Sequence, residues 1–185
     1  MIEKRTSLES IKTHSRLIMS RYFPHSTHAE DQPWSRTILT THAVTRGLTT
    51  GTMIGAGIFG ARQIFQRFRS TEPRMGLYLR TTGRATQWTV ACTLLALVGH
   101  MWEREEIEWK DRSWRLTASK GQLETDDWTY GGMAAGFSAA AAVLPRPLVW
   151  SVAGLGAVGT GSVLGMLGYC GWRYGIYGGR FGDEK

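Results

Sequence analysis

Four long stretches without a single Asp, Glu, Lys or Arg constrain this chain more than any other feature. They are Gly47–Ala61, Ala85–Trp102, Trp128–Pro145 and Pro147–Trp172, of 15, 18, 18 and 26 residues. A helix that crosses a bilayer needs about 20 mostly apolar residues, with about 17 as a working lower limit. The second and fourth stretches meet that length and the third lies at its edge. The first is short unless Arg46 and Arg62 carry their charged ends out to the interfaces. The expectation is therefore an all-α membrane protein with four transmembrane helices, at about residues 47–65, 84–102, 128–145 and 148–171. A polar N-terminal extension over 1–40 precedes a membrane domain over 41–172, and a tail over 173–185 follows it.

The mean hydropathy of −0.21 matches a soluble chain, but it averages over strong segregation, because the charges crowd into termini and connectors. A soluble bundle of buried helices is the competing fold. The 23 glycines argue against it, since most fall inside the charge-free stretches. Glycine in a soluble helix costs about 1 kcal/mol against alanine. Membrane helices use it, because a bare backbone lets a second helix come close.

The glycines are in register. Gly47, Gly51 and Gly55 repeat at four, as do Gly132 and Gly136 with Gly131 beside them, and Ala157, Gly161 and Gly165. Each set forms a flat helical face suited to contact with another helix. Pro145-Arg146-Pro147 is too tight a connector for anything except a hairpin of the third and fourth spans.

The polar segments carry the remaining signals. The N-terminal extension has no secretory apolar core and reads as an uncleaved, partly helical tail, with Leu8, Ile11, Leu17 and Ile18 as an apolar stripe. Between Arg62 and Arg84 stand six arginines and one acid, Glu72. The Glu103–Asp127 connector has eight acids and five bases, with Trp109 and Trp114 suited to a membrane surface. With four crossings, the first connector and Arg146 fall on one side and the remaining charges on the other. The first side is the more basic and is expected on the side equivalent to bacterial cytoplasm, which in a mitochondrion is the matrix, so that both termini would there face the intermembrane space. Asp126 and Asp127 suit the N-terminus of the third span through the helix dipole.

Candidate chemistry is sparse. Cys92 and Cys170 lack ligand or dithiol spacing and read as small apolar residues. His100 reads as interfacial. Gly154, Gly156 and Gly159 fit a dinucleotide pattern inside an apolar span, where close helix packing explains them better. No nucleophile–base pair or metal-ligand spacing is present, so neither an enzyme nor a cofactor is expected.

The stretch from Glu106 to Gly136 resembles the signature of the preprotein and amino-acid transporter superfamily. That family includes Tim-type translocase subunits of the mitochondrial inner membrane and a Tim-like accessory subunit of respiratory complex I. Glu106, Trp109, Lys120, Glu124, Gly131, Gly132 and Gly136 stand at the signature's spacing. Lys replaces Arg, Glu replaces Asp, Trp replaces Phe or Tyr, and Glu106 departs from a small residue. The DDW at Asp126–Trp128 and the RTTG at Arg80–Gly83 are similar to the complex I subunit. The resemblance implies four membrane helices, a mitochondrial inner-membrane location and a non-catalytic accessory role. Its implied partners are membrane subunits of a respiratory complex and lipids, cardiolipin among them, with no nucleic acid. The glycine faces would clamp those neighbouring subunits, and Lys120 with Glu124 would pair four apart. A translocase or solute-channel component, with translocase subunits as partners, is the alternative.

Overall fold

The computed structural model describes residues 22–65, 74–176 and 178–179. The N-terminal extension through Arg21 with its apolar stripe, connector residues 66–73 and the tail from 180 lie outside the described residues. After a 3-10 turn at Ala29–Asp31, the described helices are α1 (Ser35–Phe65), α2 (Arg74–His100), α3 (Glu106–Ala118), α4 (Lys120–Val143), the short α5 (Arg146–Val149) and α6 (Val152–Cys170). A π-helical turn over Gly171–Ile176 extends α6. The chain divides into two compact units, Met1–His42 with Leu97–Leu123, and Ala43–Ala96 with Glu124–Lys185.

Four transmembrane helices are not what the chain forms. Among the described residues, only Val152–Ile176 is both long enough and apolar enough to cross a membrane. The physical reason is that lack of charge is not the same as lack of polarity. α1 holds seven threonines together with Arg36, Arg46 and Arg62. α2 holds five threonines, Gln87 and three arginines, and α4 carries Lys120, Glu124, Asp126 and Asp127. Each helix also begins well before its charge-free stretch, so polar turns enter its length. The orientation derived from charge counting required four crossings and falls with them. Asp126 and Asp127 lie inside α4, beyond its first turn, so the dipole argument for a helix start does not apply to them.

In the first unit, α3 packs against the 3-10 turn. The wholly buried Gln32 organises the preceding loop: its amide donates to the Pro24 carbonyl at 2.8 Å, and its carbonyl accepts from the Ser26 backbone N–H at 3.2 Å. Trp114 of α3 donates its indole N–H to the Ser26 carbonyl at 3.0 Å and stacks on His25, with ring centroids 5.6 Å apart. Arg36 lies over the Trp109 ring, 5.6 Å from its centroid, in a cation–π arrangement. Both tryptophans expected at a membrane surface are therefore engaged inside this unit.

His25 makes the first unit sensitive to acid. Its Nδ1 sits 2.8 Å from Thr117 Oγ1, and burial pushes its pKa below the ordinary 6.5. An unfolded chain takes up the proton first as pH falls, so the stability contributed by neutral His25 is complete above about 6.5 and lost below it. Amide protection across Glu106–Ala118, the slowing of exchange relative to an unstructured chain at the same pH, is expected to fall between about pH 7.5 and 5.5. A His25→Gln chain should show a smaller change over that range, and an identical pH response would refute the assignment.

In the second unit, α6 starts where the Ser151 side chain accepts from the Ala153 N–H at 3.2 Å, an N-cap. Pro147 sits in the first turn of α5, where its missing N–H costs nothing. Leu79, Ala140, Val149, Ala153 and Tyr169 are its buried apolar residues. Threonine and serine hydroxyls fill much of the rest.

Candidate functional site

Two glycine seams and the hydroxyl ladder between them form the distinctive feature of the second unit. On α1, the Gly47, Gly51 and Gly55 face lies on α2. A Cβ added at Gly51 would stand 2.6 Å from the Thr86 Cα, and one at Gly55 2.5 Å from the Thr82 Cα. At Gly47 the nearest atom would be Thr93 Oγ1 at 3.0 Å. Residue numbers rise along one helix as they fall along the other, so the pair is antiparallel.

The second seam joins α4 to α6. A Cβ at Gly132 would stand 2.2 Å from the Gly161 carbonyl oxygen, and one at Gly161 would stand 2.1 Å from that of Gly132. Gly136 faces the Ala157 carbonyl at 2.4 Å by the same measure, and Gly165 faces that of Trp128 at 2.1 Å. Each glycine thus aims a Cα hydrogen at a facing carbonyl, the weak C–H···O contact that recurs where helices touch backbone to backbone. Gly131, adjacent in sequence, meets nothing within 4 Å. The hairpin expected from Pro145-Arg146-Pro147 forms, with α5 within its bend.

These contacts change the meaning of the glycine faces. They are occupied within the chain, so they are not open to clamp a neighbouring subunit as expected from the sequence. The dinucleotide-like glycines are also packed: Gly156 against the Leu79 carbonyl and Gly159 against the Thr52 hydroxyl, with a would-be Cβ at 2.1 and 2.0 Å.

The ladder runs through the same interior. Thr52 donates to the Leu48 carbonyl at 3.0 Å and lies 3.0 Å from the Thr86 hydroxyl. Thr49 donates to the Thr45 carbonyl at 3.0 Å and lies 3.3 Å from Ser162. Tyr78 meets Thr160 at 3.2 Å. A threonine that bonds its own i−4 carbonyl satisfies its hydroxyl within one helix and can still cross-link to a second.

Charged groups occur beside the ladder. Arg46 donates to Asp126 at 2.7 Å, and Tyr130 lies 3.5 Å from the Thr45 hydroxyl. Arg173, only 4% exposed, reaches Glu124 at 3.6 Å. The expected counter-charge for Glu124 came from spacing along α4; Arg173, from the π-helical turn, is a cation that such spacing does not indicate. Lys120 opens α4 and belongs with Trp109 to the first unit, whereas Glu124, Gly131, Gly132 and Gly136 belong to the second.

The sequence singles out Gln87, Thr89 and Thr93 as polar groups suited to bonding a neighbouring helix. Thr89 and Thr93 instead donate to the Ala85 and Thr89 carbonyls of their own helix, while Thr45, Thr49 and Thr52 on α1 and Thr82 and Thr86 on α2 went unmarked. Their spacing of three and four was a usable signal, as it marks one helical face of hydroxyls. Arg46, Asp126 and Arg173 are far apart in sequence and carried no local signal. Cys92 and Cys170 are free thiols. Among the described residues, no three His, Cys, Asp or Glu side chains gather to hold a metal. No family model matches the chain, and no curated protein or solved structure matches it significantly.

Proposed function

We propose that this protein is a non-catalytic structural subunit of a mitochondrial inner-membrane respiratory complex, in the first place NADH:ubiquinone oxidoreductase. The observation that carries the reading is an inversion in the second unit. Its fully buried side chains include Thr52, Thr82, Thr86, Thr129 and Ser162, while Phe65, Val143, Trp150 and Trp88 are 86, 82, 81 and 75% exposed. A protein surrounded by water on every side does the opposite. Hydroxyls inside and large apolar groups outside suit a unit whose neighbours are themselves apolar. Membrane subunits and lipid around the helices supply such neighbours, with Val152–Ile176 as the segment able to enter the bilayer. The signature spacing from Glu106 to Gly136 supplies the choice of membrane and of complex.

The hydroxyl ladder speaks for a scaffold over a conduit. Its groups are satisfied by backbone carbonyls and by one another, and glycines press against them. A pathway for a polar substrate instead needs polar groups held open to it.

The test is native electrophoresis of mitochondria solubilised in mild detergent and carrying the tagged full chain, with mass spectrometry of the band. Co-migration with NADH:ubiquinone oxidoreductase subunits, resistant to alkaline carbonate extraction, is expected. Co-migration with import receptors and an arrested preprotein would replace this reading with a translocase component. Recovery as a soluble monomer would overturn both.

A further inference from the structure

Beside the α1/α2 seam lies an open-mouthed cleft of about 420 Å³ that neither the seams nor the ladder explain. Its walls are of two kinds. Arg62 from α1 and Arg80 and Arg84 from α2 supply three cations, while Ile58, Leu77 and Trp88 supply apolar surface. The placement follows from helical spacing. Ile58 and Arg62 stand one turn apart on α1, and residues 77, 80, 84 and 88 recur at three and four along one face of α2. The charge is locally concentrated, because Glu72 is the one acid in the sequence between Asp31 and Glu103. Arg80 and Arg84 are separated by about 6 Å of helical rise, a span that matches a phosphodiester and its glycerol linkage.

We propose that this cleft binds an anionic phospholipid, with its phosphate held by Arg62, Arg80 and Arg84 and its acyl chains laid along Ile58, Leu77 and Trp88. Guanidinium groups match phosphate oxygens with paired donors, so they fit this headgroup better than a point charge would. The apolar wall decides between lipid and other phosphates. A free phosphate has no use for it, and a nucleic acid needs a basic track over many phosphates. On α1 the face of Ile58 and Arg62 continues as Ile54 and Phe65, both exposed. An exposed tryptophan beside arginines is also the pairing expected at the boundary between headgroups and chains. The site stands on the cleft alone and does not require the respiratory-complex reading.

The experiment is native mass spectrometry of the delipidated full chain in neutral detergent, titrated separately with phosphatidylglycerol, cardiolipin and phosphatidylcholine. Both anionic lipids are expected to form one-to-one adducts at least about tenfold more tightly than phosphatidylcholine. Each of Arg62→Gln, Arg80→Gln and Arg84→Gln should weaken that binding roughly fivefold, and the triple variant should bring it to the phosphatidylcholine level. These side chains are exposed, and far-ultraviolet dichroism verifies that the variants stay folded. Trp88→Gln should also weaken lipid binding. An Arg104→Gln, Arg112→Gln, Arg115→Gln chain, equal in net charge to the triple variant, should bind as the parent does. Equal loss in that control would reduce the effect to overall charge and overturn the site. Full displacement by millimolar inorganic phosphate, with Trp88→Gln silent, would make it a phosphate site and overturn the lipid. Binding of a single-stranded oligonucleotide as tight as phosphatidylglycerol would likewise overturn it.

Discussion

Replacing Gly132 and Gly136 together by leucine is expected to separate α4 from α6 and to cost at least about 3 kcal/mol. Even the first added carbon at each position falls on a backbone carbonyl, 2.2 Å from that of Gly161 and 2.4 Å from that of Ala157. A backbone cannot swing away as a flexible side chain can, so the whole helix must move. The movement also breaks the reciprocal approach of Gly161 to the Gly132 carbonyl. Thermal or detergent-induced unfolding of the full chain, followed by far-ultraviolet dichroism, reads this directly. Gly131→Ala provides the contrast. It lies on the same helix one residue away with open space around it, so it should leave stability unchanged or raise it by up to about 1 kcal/mol. A double leucine variant that unfolds together with the parent would remove the seam. Any loss of assembly in that variant would follow from its damaged fold, because the face is internal.

Arg173→Leu is expected to be the next most damaging change, at about 3 kcal/mol. The guanidinium is buried and stands 3.6 Å from the Glu124 carboxylate. Its removal takes the cation from beside a half-buried anion and leaves a space shaped for a planar group. Glu124→Gln keeps an acceptor of the same shape, and the Glu124 side chain is 36% exposed, so a smaller cost of about 1 kcal/mol is expected. In the double variant the two costs should fall short of adding, as for groups in direct contact. Strict additivity of the two losses would show that the pair is not coupled.

Helices and faces were legible from spacing. The repeat at four marked the Gly47–Gly55 and Gly132–Gly136 faces, and the proline-bounded connector marked the hairpin. Membrane crossing was misjudged, because counting charges overlooked the threonines of α1 and α2 and the acids that α4 takes into its own length. Most of the ladder, Thr49, Thr52 and Thr86 among it, was present in the threonine spacing and went unread, since a hydroxyl adds nothing to a count of charges.

What the sequence by itself determined is where backbone approach is sterically allowed, since only glycine lacks the Cβ that would prevent it. Periodicity defines a face and is silent about its partner. That Gly132 meets Gly161 inside the same chain, that Gly51 meets a threonine helix, and that Glu124 meets Arg173 were decided by tertiary packing alone. Those pairings depend on distances between residues far apart in the chain, and such distances exist only once the helices have packed.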